Sequence, residues 1–220
     1  MTATGTTEPR RLLAAVASNV FGPEVWVVTL PLAVGWRATG ERIWPTLGWS
    51  LWIAVFAAVI PMVVMVRGAR RGQWEGRYVD NREARLVPFL VCMGSVLLGS
   101  VGLWLGRAPG ALIALAAAML ATLAVCLYIT VARRWKISLH SAVATGAVAI
   151  LTVLYGPWAA LVAPLAALSA WSRVVLGKHT VAQVFAGAAV AVLAGGGAVL
   201  ERPGGPAVSA SRAGAAGVAA

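Results

Sequence analysis

The sequence predicts an all-α fold, a polytopic membrane helix bundle of six or seven transmembrane helices. Of its 220 residues, 60% are hydrophobic and 11% are charged, whereas a soluble domain carries about 25% charged residues. Apolar stretches recur along the chain, and each approaches the length of about 20 helical residues that crosses the hydrocarbon core of a bilayer. This composition excludes an ordinary soluble globular domain.

Hydropathy gives the individual spans. They are predicted at residues 12–36, 46–66, 86–106, 111–132, 139–155, 157–176 and 180–200. The fifth and sixth spans are short and are joined by Gly156 and Pro157. One tight hairpin fits this pattern as well as two full spans do, so six helices and seven helices both satisfy the sequence.

The amino-terminal apolar run is predicted to be an uncleaved first helix. Arg10 and Arg11 precede it, as basic residues precede a secretory signal, but the run continues to Trp36. The part before a small-residue cleavage site is too short for the apolar region of a signal. We therefore expect one membrane-embedded domain over residues 1–200, followed by a disordered tail over 201–220, which is rich in Gly, Ala, Ser and Pro.

The net charge of +11 indicates phosphate or lipid head groups as partners. The basic residues lie in short loops between apolar runs rather than on one patch, which argues against nucleic acid and favours membrane lipids. Cys92 and Cys126 lie inside apolar runs, where a thiol acts as a small buried hydrophobe. We predict no disulfide, no metal site and no cofactor.

Polar residues cluster at three places along the chain. The first cluster is the segment 67–85, predicted to be a loop or a surface helix. The second cluster contains Arg133, Arg134, Lys136, Ser138 and His140. The third cluster contains Ser172, Arg173, Lys178, His179 and Gln183. Two spans separate each cluster from the next, so all three are expected on the same face of the membrane, whether or not the fifth and sixth spans form a re-entrant hairpin.

This set of side chains indicates phosphoryl transfer through a histidine. Arginine guanidinium groups bind phosphate bidentately and stabilise charge on its oxygens. One imidazole can attack phosphorus while a second protonates the leaving alkoxide. The sequence has no carboxylate cluster beside the histidines that would hold a metal.

The segment WSRVVLGKHTVAQ, residues 171–183, resembles the third motif of the type 2 phosphatidic acid phosphatase superfamily, S-R-x5-H-x3-D. Residues 137–140, ISLH, resemble its second motif, P-S-G-H. The resemblance implies the haloperoxidase-like helical core and metal-independent hydrolysis of a lipid phosphate. It also implies that His179 is the nucleophile, that His140 is the general acid, and that Arg173 and Ser138 bind phosphate.

The chain departs from these motifs at several positions. Gln183 replaces the carboxylate that orients the nucleophile, and we expect its amide oxygen to fix the tautomer of His179 instead. Ile137 and Leu139 replace the proline and the glycine of the second motif. The first motif, K-x6-R-P, is present only in degraded form near Pro88. Its expected phosphate-binding residues are Arg85 and Arg82, with Arg77 a weaker candidate and Lys136 as a substitute cation.

The expected function is hydrolysis of a lipid phosphate or diphosphate, such as a prenyl or polyprenyl phosphate or a phospholipid phosphate. The alternatives are a transporter or channel for an anionic phosphorylated solute, which would explain basic loops and the mid-span Glu24 but not the histidine spacings, and a catalytically degenerate scaffold. The substrate within this class and the oligomeric state stay open.

The expected location is a plasma membrane of the bacterial type. Thirteen of the 18 Lys and Arg residues fall on the side of the motifs. When the candidate site residues are set aside, seven Lys and Arg residues remain on the side of the motifs and five lie on the other side. Because cytoplasmic loops carry an excess of Lys and Arg, the active site is predicted on the cytoplasmic face. Glu24 lies beside Pro23 in the middle of the first predicted span, where an ionisable residue is a functional candidate by default; a structural carboxyl in a kinked helix is the favoured interpretation, and its role stays open.

Overall fold

A computed structural model describes residues 8–73 and 86–200, with side chains to residue 194, and every regular element in these residues is helical. We number the α-helices in chain order. They are α1 Glu8–Val20, α2 Pro23–Ala38, α3 Ile43–Ala54, α4 Ile60–Arg70, α5 Leu86–Leu105, α6 Gly110–Ala132, α7 Leu139–Tyr155, α8 Ala163–Val175 and α9 Val181–Leu200. A π-helical turn, Val55–Val59, joins α3 to α4, and a 3-10 helix, Pro157–Val162, leads into α8.

Five helical stretches in the described residues are long and apolar enough to cross a membrane. They are Glu8–Ala38, Ile43–Arg70, Leu86–Leu105, Gly110–Ala132 and Pro157–Val175. Leu139–Tyr155 and Val181–Ala194 are shorter apolar helices. Large apolar side chains such as Leu98 and Leu193 lie on the outer surface, as expected for helices that face lipid. The prediction of an all-α integral membrane protein is confirmed at this level.

The first predicted span is interrupted, because α1 ends at Val20 and α2 begins at Pro23. The residue before a proline is pushed out of the α region, and Gly22 is extended, with φ −63° and ψ 163°. Proline is well suited to the first position of a helix because it lacks the N–H group that would be unpaired there. The break lets α1 pack against α8 while α2 packs against α3, α6 and α7.

Glycines on α5 allow the α3 segment to approach closely. A Cβ atom at Gly99 or Gly102 would collide with the ring of Phe56 or Trp52, respectively. The indole N–H of Trp52 donates a hydrogen bond to the carbonyl of Gly99 at 3.0 Å. Small residues therefore bring two helix backbones together, as is common between membrane helices.

Helix α7 is central, since α2, α8, α9 and the 3-10 helix all pack against it. The chain reverses after α7 at Gly156, whose φ of +85° is favourable only for glycine. The fifth and sixth predicted spans are therefore two helices that pack against each other.

Helices α2 and α7 run in the same direction. At their carboxyl ends, the Tyr155 hydroxyl donates to the carbonyl of Ala33 at 2.7 Å, and the Arg37 guanidinium lies 5.6 Å from the Tyr155 ring centroid. Their amino ends, with Glu24 and His140, line one cavity. This parallel pairing defines the end of the bundle at which the polar residues meet.

Candidate active site

The loop after α8 holds His179 beside Arg173. The backbone N–H groups of Lys178 and His179 both donate to the carbonyl of Arg173, at 3.0 and 3.2 Å. Gly177 makes this return possible with a φ of +68°, in the manner of a glycine that ends a helix. The candidate nucleophile is therefore fastened to the last turn of the helix that carries the candidate phosphate-binding arginine.

Thr180 and Gln183 begin α9 as a capping box. The Gln183 N–H donates to the Thr180 hydroxyl at 3.3 Å, and the Thr180 N–H donates to Gln183 Oε1 at 3.1 Å. These reciprocal bonds satisfy two amides that a helix start leaves unpaired. The Gln183 side chain is thus held in place by the helix start itself.

The same Gln183 oxygen fixes the tautomer of His179. Gln183 Oε1 lies 3.2 Å from His179 Nδ1. The Thr180 N–H needs an acceptor, so the amide oxygen and not the nitrogen faces the imidazole. An amide oxygen only accepts hydrogen bonds. Nδ1 therefore carries a proton, and in the neutral imidazole the lone pair is on Nε2.

The second motif is joined to the third through backbone contacts. Ser138 caps α7 by accepting the Ser141 N–H at 3.4 Å, and its own N–H donates to the carbonyl of Gln183 at 3.2 Å. The Ser141 hydroxyl donates to the carbonyl of Val184 at 2.7 Å. A Cβ atom at Gly187 would collide with the Ser138 carbonyl. These contacts bring the start of α7, with His140, against the start of α9.

A cavity of about 260 Å³ lies between α2, α4, α5, α6 and α7 and reaches the polar residues at one end. His140, Arg173 and His179 line it and are 6%, 4% and 7% exposed. Arg173 is oriented by α1, because its Nη1 donates to the Ser18 hydroxyl at 3.0 Å. Three of the predicted site residues therefore meet in one wall.

The other predicted site residues lie elsewhere. Gln183 touches His179 but is not in the cavity wall, and Ser138 is fully buried as the cap of α7. Lys136 is half-buried in the segment before α7 and does not line the cavity. Arg77, Arg82 and Arg85 lie outside the described residues, as does the predicted tail.

The helices on both sides of the segment 74–85 do reach the cavity. Met65, near the end of α4, and Pro88 and Phe89, at the start of α5, line it together with both histidines. The structure therefore brings the second and third predicted clusters together and puts the flanks of the first at the same cavity.

Glu24, for which the sequence favours a structural role, is a residue of the cavity wall. It lines the cavity together with His140, Arg173 and His179. The sequence did carry a signal, because Pro23 marks a helix start. A helix that starts there puts Glu24 in the first turn of α2, at the break within the stretch Glu8–Ala38. In the parts of the chain that the structure describes, no group of three His, Cys, Asp or Glu residues could hold a metal ion.

No protein-family model matches the chain, and neither a curated protein nor a solved structure matches it significantly. Function is therefore inferred from the cavity and from the side chains in its wall.

Proposed function

We propose that this chain is a lipid phosphate phosphatase that acts through a phosphohistidine on His179, without a metal. The observation that carries the proposal is the meeting of His140, Arg173 and His179 at one end of a cavity that is otherwise largely apolar. Such a cavity matches a ligand with a charged phosphate at one end and a hydrocarbon chain at the other.

In the first step, His179 Nε2 attacks phosphorus and the bond from phosphorus to the lipid oxygen breaks. His140 gives its proton to that oxygen, which leaves as an alcohol. The Arg173 guanidinium offsets the charge on the phosphoryl oxygens. For a diphosphate, the leaving group is the lipid monophosphate.

In the second step, water attacks the phosphorus of the phosphohistidine. Neutral His140 takes a proton from the water as the bond from phosphorus to nitrogen breaks. Inorganic phosphate leaves, and His140 is protonated again for the next cycle. The two histidines thus complete the reaction without a further co-reactant.

The cavity dimensions suit a hydrocarbon chain. Ile150 lines the cavity ten residues after His140 on α7, which is about 15 Å along a helix and about half of the hydrocarbon core of a bilayer. An apolar cavity of about 150 Å³ already binds benzene in another protein, and this one is about 260 Å³. We therefore propose a prenyl or polyprenyl phosphate or diphosphate, or a phospholipid phosphate, as the substrate.

The proposed topology has seven spans in a bacterial-type plasma membrane. Helix α7 has 17 residues, the lower end of the length that crosses a bilayer, about 17 to 25 residues. Seven spans leave the starts of α7 and α9 on one face, which the distribution of Lys and Arg assigns to the cytoplasm.

The test is phosphate release by purified protein from a panel of prenyl diphosphate, polyprenyl phosphate, phosphatidic acid and phosphatidylglycerol phosphate, with and without a chelator. We expect release from at least one lipid, unchanged by the chelator. Anion flux in proteoliposomes without phosphate release would indicate a transporter or channel. Neither flux nor release would indicate a scaffold.

Variants connect that activity to the site. His179→Ala should abolish release, and His140→Ala should lower it by roughly 100- to 10,000-fold, the range for a general acid. Acid-labile, base-stable phosphate should be trapped on the wild type and not on His179→Ala. Arg173→Lys should lower the rate by roughly tenfold or more, because a charge-assisted bond is worth at least about 1.5 kcal/mol. Arg37→Lys, at the opposite end of α2, is the matched control and should leave the rate unchanged.

A further inference from the structure

Glu24 is the one carboxylate among the described residues that line the cavity. It lies in the first turn of α2, immediately after the break at Gly22. A Cβ atom at Gly22 would be 2.5 Å from Glu24 Oε2 and 3.2 Å from the carbonyl of Ser18. The Glu24 carboxylate therefore folds back over Gly22, and Ser18, whose hydroxyl accepts a hydrogen bond from Arg173, lies beside the same glycine.

The surroundings of His140 disfavour a second positive charge. His140 is the second residue of α7, so the partial positive charge of the helix start lies close to its ring. The charged or titratable groups that face the cavity from the elements against α7 are Arg173 from α8, His179 from the loop before α9, and Glu24 from α2. The sequences of α9 and of the 3-10 helix contain no charged residue.

A general acid must nevertheless hold a proton before the leaving group departs. We propose that Glu24 is a positioning residue whose carboxylate keeps the acid proton on His140. Its negative charge offsets Arg173 and the start of α7, so that His140 meets the substrate as imidazolium. This inference rests on the proposed phosphatase function and adds a residue from outside the resembled motifs.

The leaving group separates this role from a structural one. Decyl phosphate releases a basic alkoxide that needs a proton, whereas a nitrophenyl phosphate with the same decyl chain releases a stable phenolate that needs none. At pH 7, Glu24→Gln should lower kcat for decyl phosphate by about 10- to 100-fold, part of the range for general acid catalysis, and change kcat for the nitrophenyl ester by less than about threefold. Glu24→Asp should recover most of the activity on decyl phosphate.

A second variant moves the carboxylate without removing it. Gly22→Ala puts a methyl group 2.5 Å from Glu24 Oε2, so the carboxylate must shift and the variant should reproduce the selective loss on decyl phosphate. Thermal unfolding of each variant in detergent serves as the control for folding.

Three results would overturn the inference. Equal losses on both esters would assign Glu24 a structural role at the start of α2. Full activity of Glu24→Gln on decyl phosphate would show that His140 needs no carboxylate. More trapped phosphoenzyme in Glu24→Gln than in the wild type would make Glu24 a base in the second step. Inactivity of the wild type on both esters and the lipid panel would instead refute the proposed function, and this inference with it.

Discussion

Replacement of Gln183 by leucine removes a hydrogen bond that fixes the tautomer of His179. In the wild type, Gln183 Oε1 accepts from His179 Nδ1 at 3.2 Å. During attack, positive charge develops on the imidazole, so this bond becomes charge-assisted. A hydrogen bond to a charged group contributes about 1.5 to 3 kcal/mol, which corresponds to a rate loss of about 10- to 160-fold.

Leucine also breaks the capping box, so stability must be measured separately. The same oxygen accepts the Thr180 N–H at 3.1 Å, and loss of a helix cap costs about 0.5 to 2 kcal/mol. Thr180→Ala is the matched control. It removes the hydroxyl that accepts the Gln183 N–H but leaves the Thr180 amide and the Gln183 side chain, so it should lower stability with little effect on rate.

The assay is single-turnover phosphorylation of His179 by the best lipid phosphate, with thermal unfolding measured in the same detergent. Gln183→Asp and Gln183→Glu should keep most of the activity, since a carboxylate also accepts from Nδ1. Glutamate keeps the length of glutamine and is the usual partner in a capping box. Wild-type phosphorylation rates in Gln183→Leu, or equal losses in Gln183→Leu and Thr180→Ala, would refute the orienting role.

Two further predictions concern packing and orientation. Gly187→Ala should push α9 away from the carbonyl of Ser138, lower the free energy of unfolding by about 1 to 3 kcal/mol and reduce activity. Gly94→Ala is the control, because a Cβ atom there meets nothing within 4 Å. It should change neither the stability, measured by thermal unfolding, nor the activity, measured by phosphate release. Orientation can be tested with single cysteines at Gly110 or Gln73 in a variant without native cysteines. If the site faces the cytoplasm, an impermeant thiol reagent should label the cysteine at position 110 on intact cells and should leave the cysteine at position 73 unlabelled. The reverse pattern would contradict the orientation inferred from charge.

His140, Arg173 and His179 line one cavity, and the sequence predicts their segments on one face of the membrane for a simple geometric reason. Helices that cross a membrane alternate in direction, so segments separated by two spans return to the same face. The contact of Gln183 with His179 is predicted from a spacing of four residues on one helix, but His179 lies in the loop before α9, and the capping box at the helix start brings the two side chains together. These are local or topological relations, and they do not depend on how side chains pack.

Two local features carry a signal in the sequence that hydropathy does not reveal. Pro23 marks the start of a helix, whereas a continuous hydropathy span predicts a kink there. The Thr-x-x-Gln pattern of residues 180–183 is the sequence of a capping box, whereas the resemblance predicts only a partner for the histidine. The shape of the cavity depends on which faces of α2, α5 and α6 meet, and hydropathy leaves those faces undefined.

Two departures from the resembled motifs, the neutral Gln183 beside His179 and the carboxylate of Glu24 on α2, are related if Glu24 acts as proposed. The resembled motif has a carboxylate behind the nucleophile, and here neutral Gln183 occupies that position. A carboxylate there would offset the charge of phosphorylated His179, whereas a carboxylate on α2 offsets the charge of His140.

Glutamine still sets the tautomer through one hydrogen bond, because tautomer choice needs an acceptor and not a charge. Proton retention does need a charge, since the start of α7 and Arg173 both oppose the imidazolium. Glu24 then supplies its negative charge to His140, the histidine that must be cationic before the reaction begins.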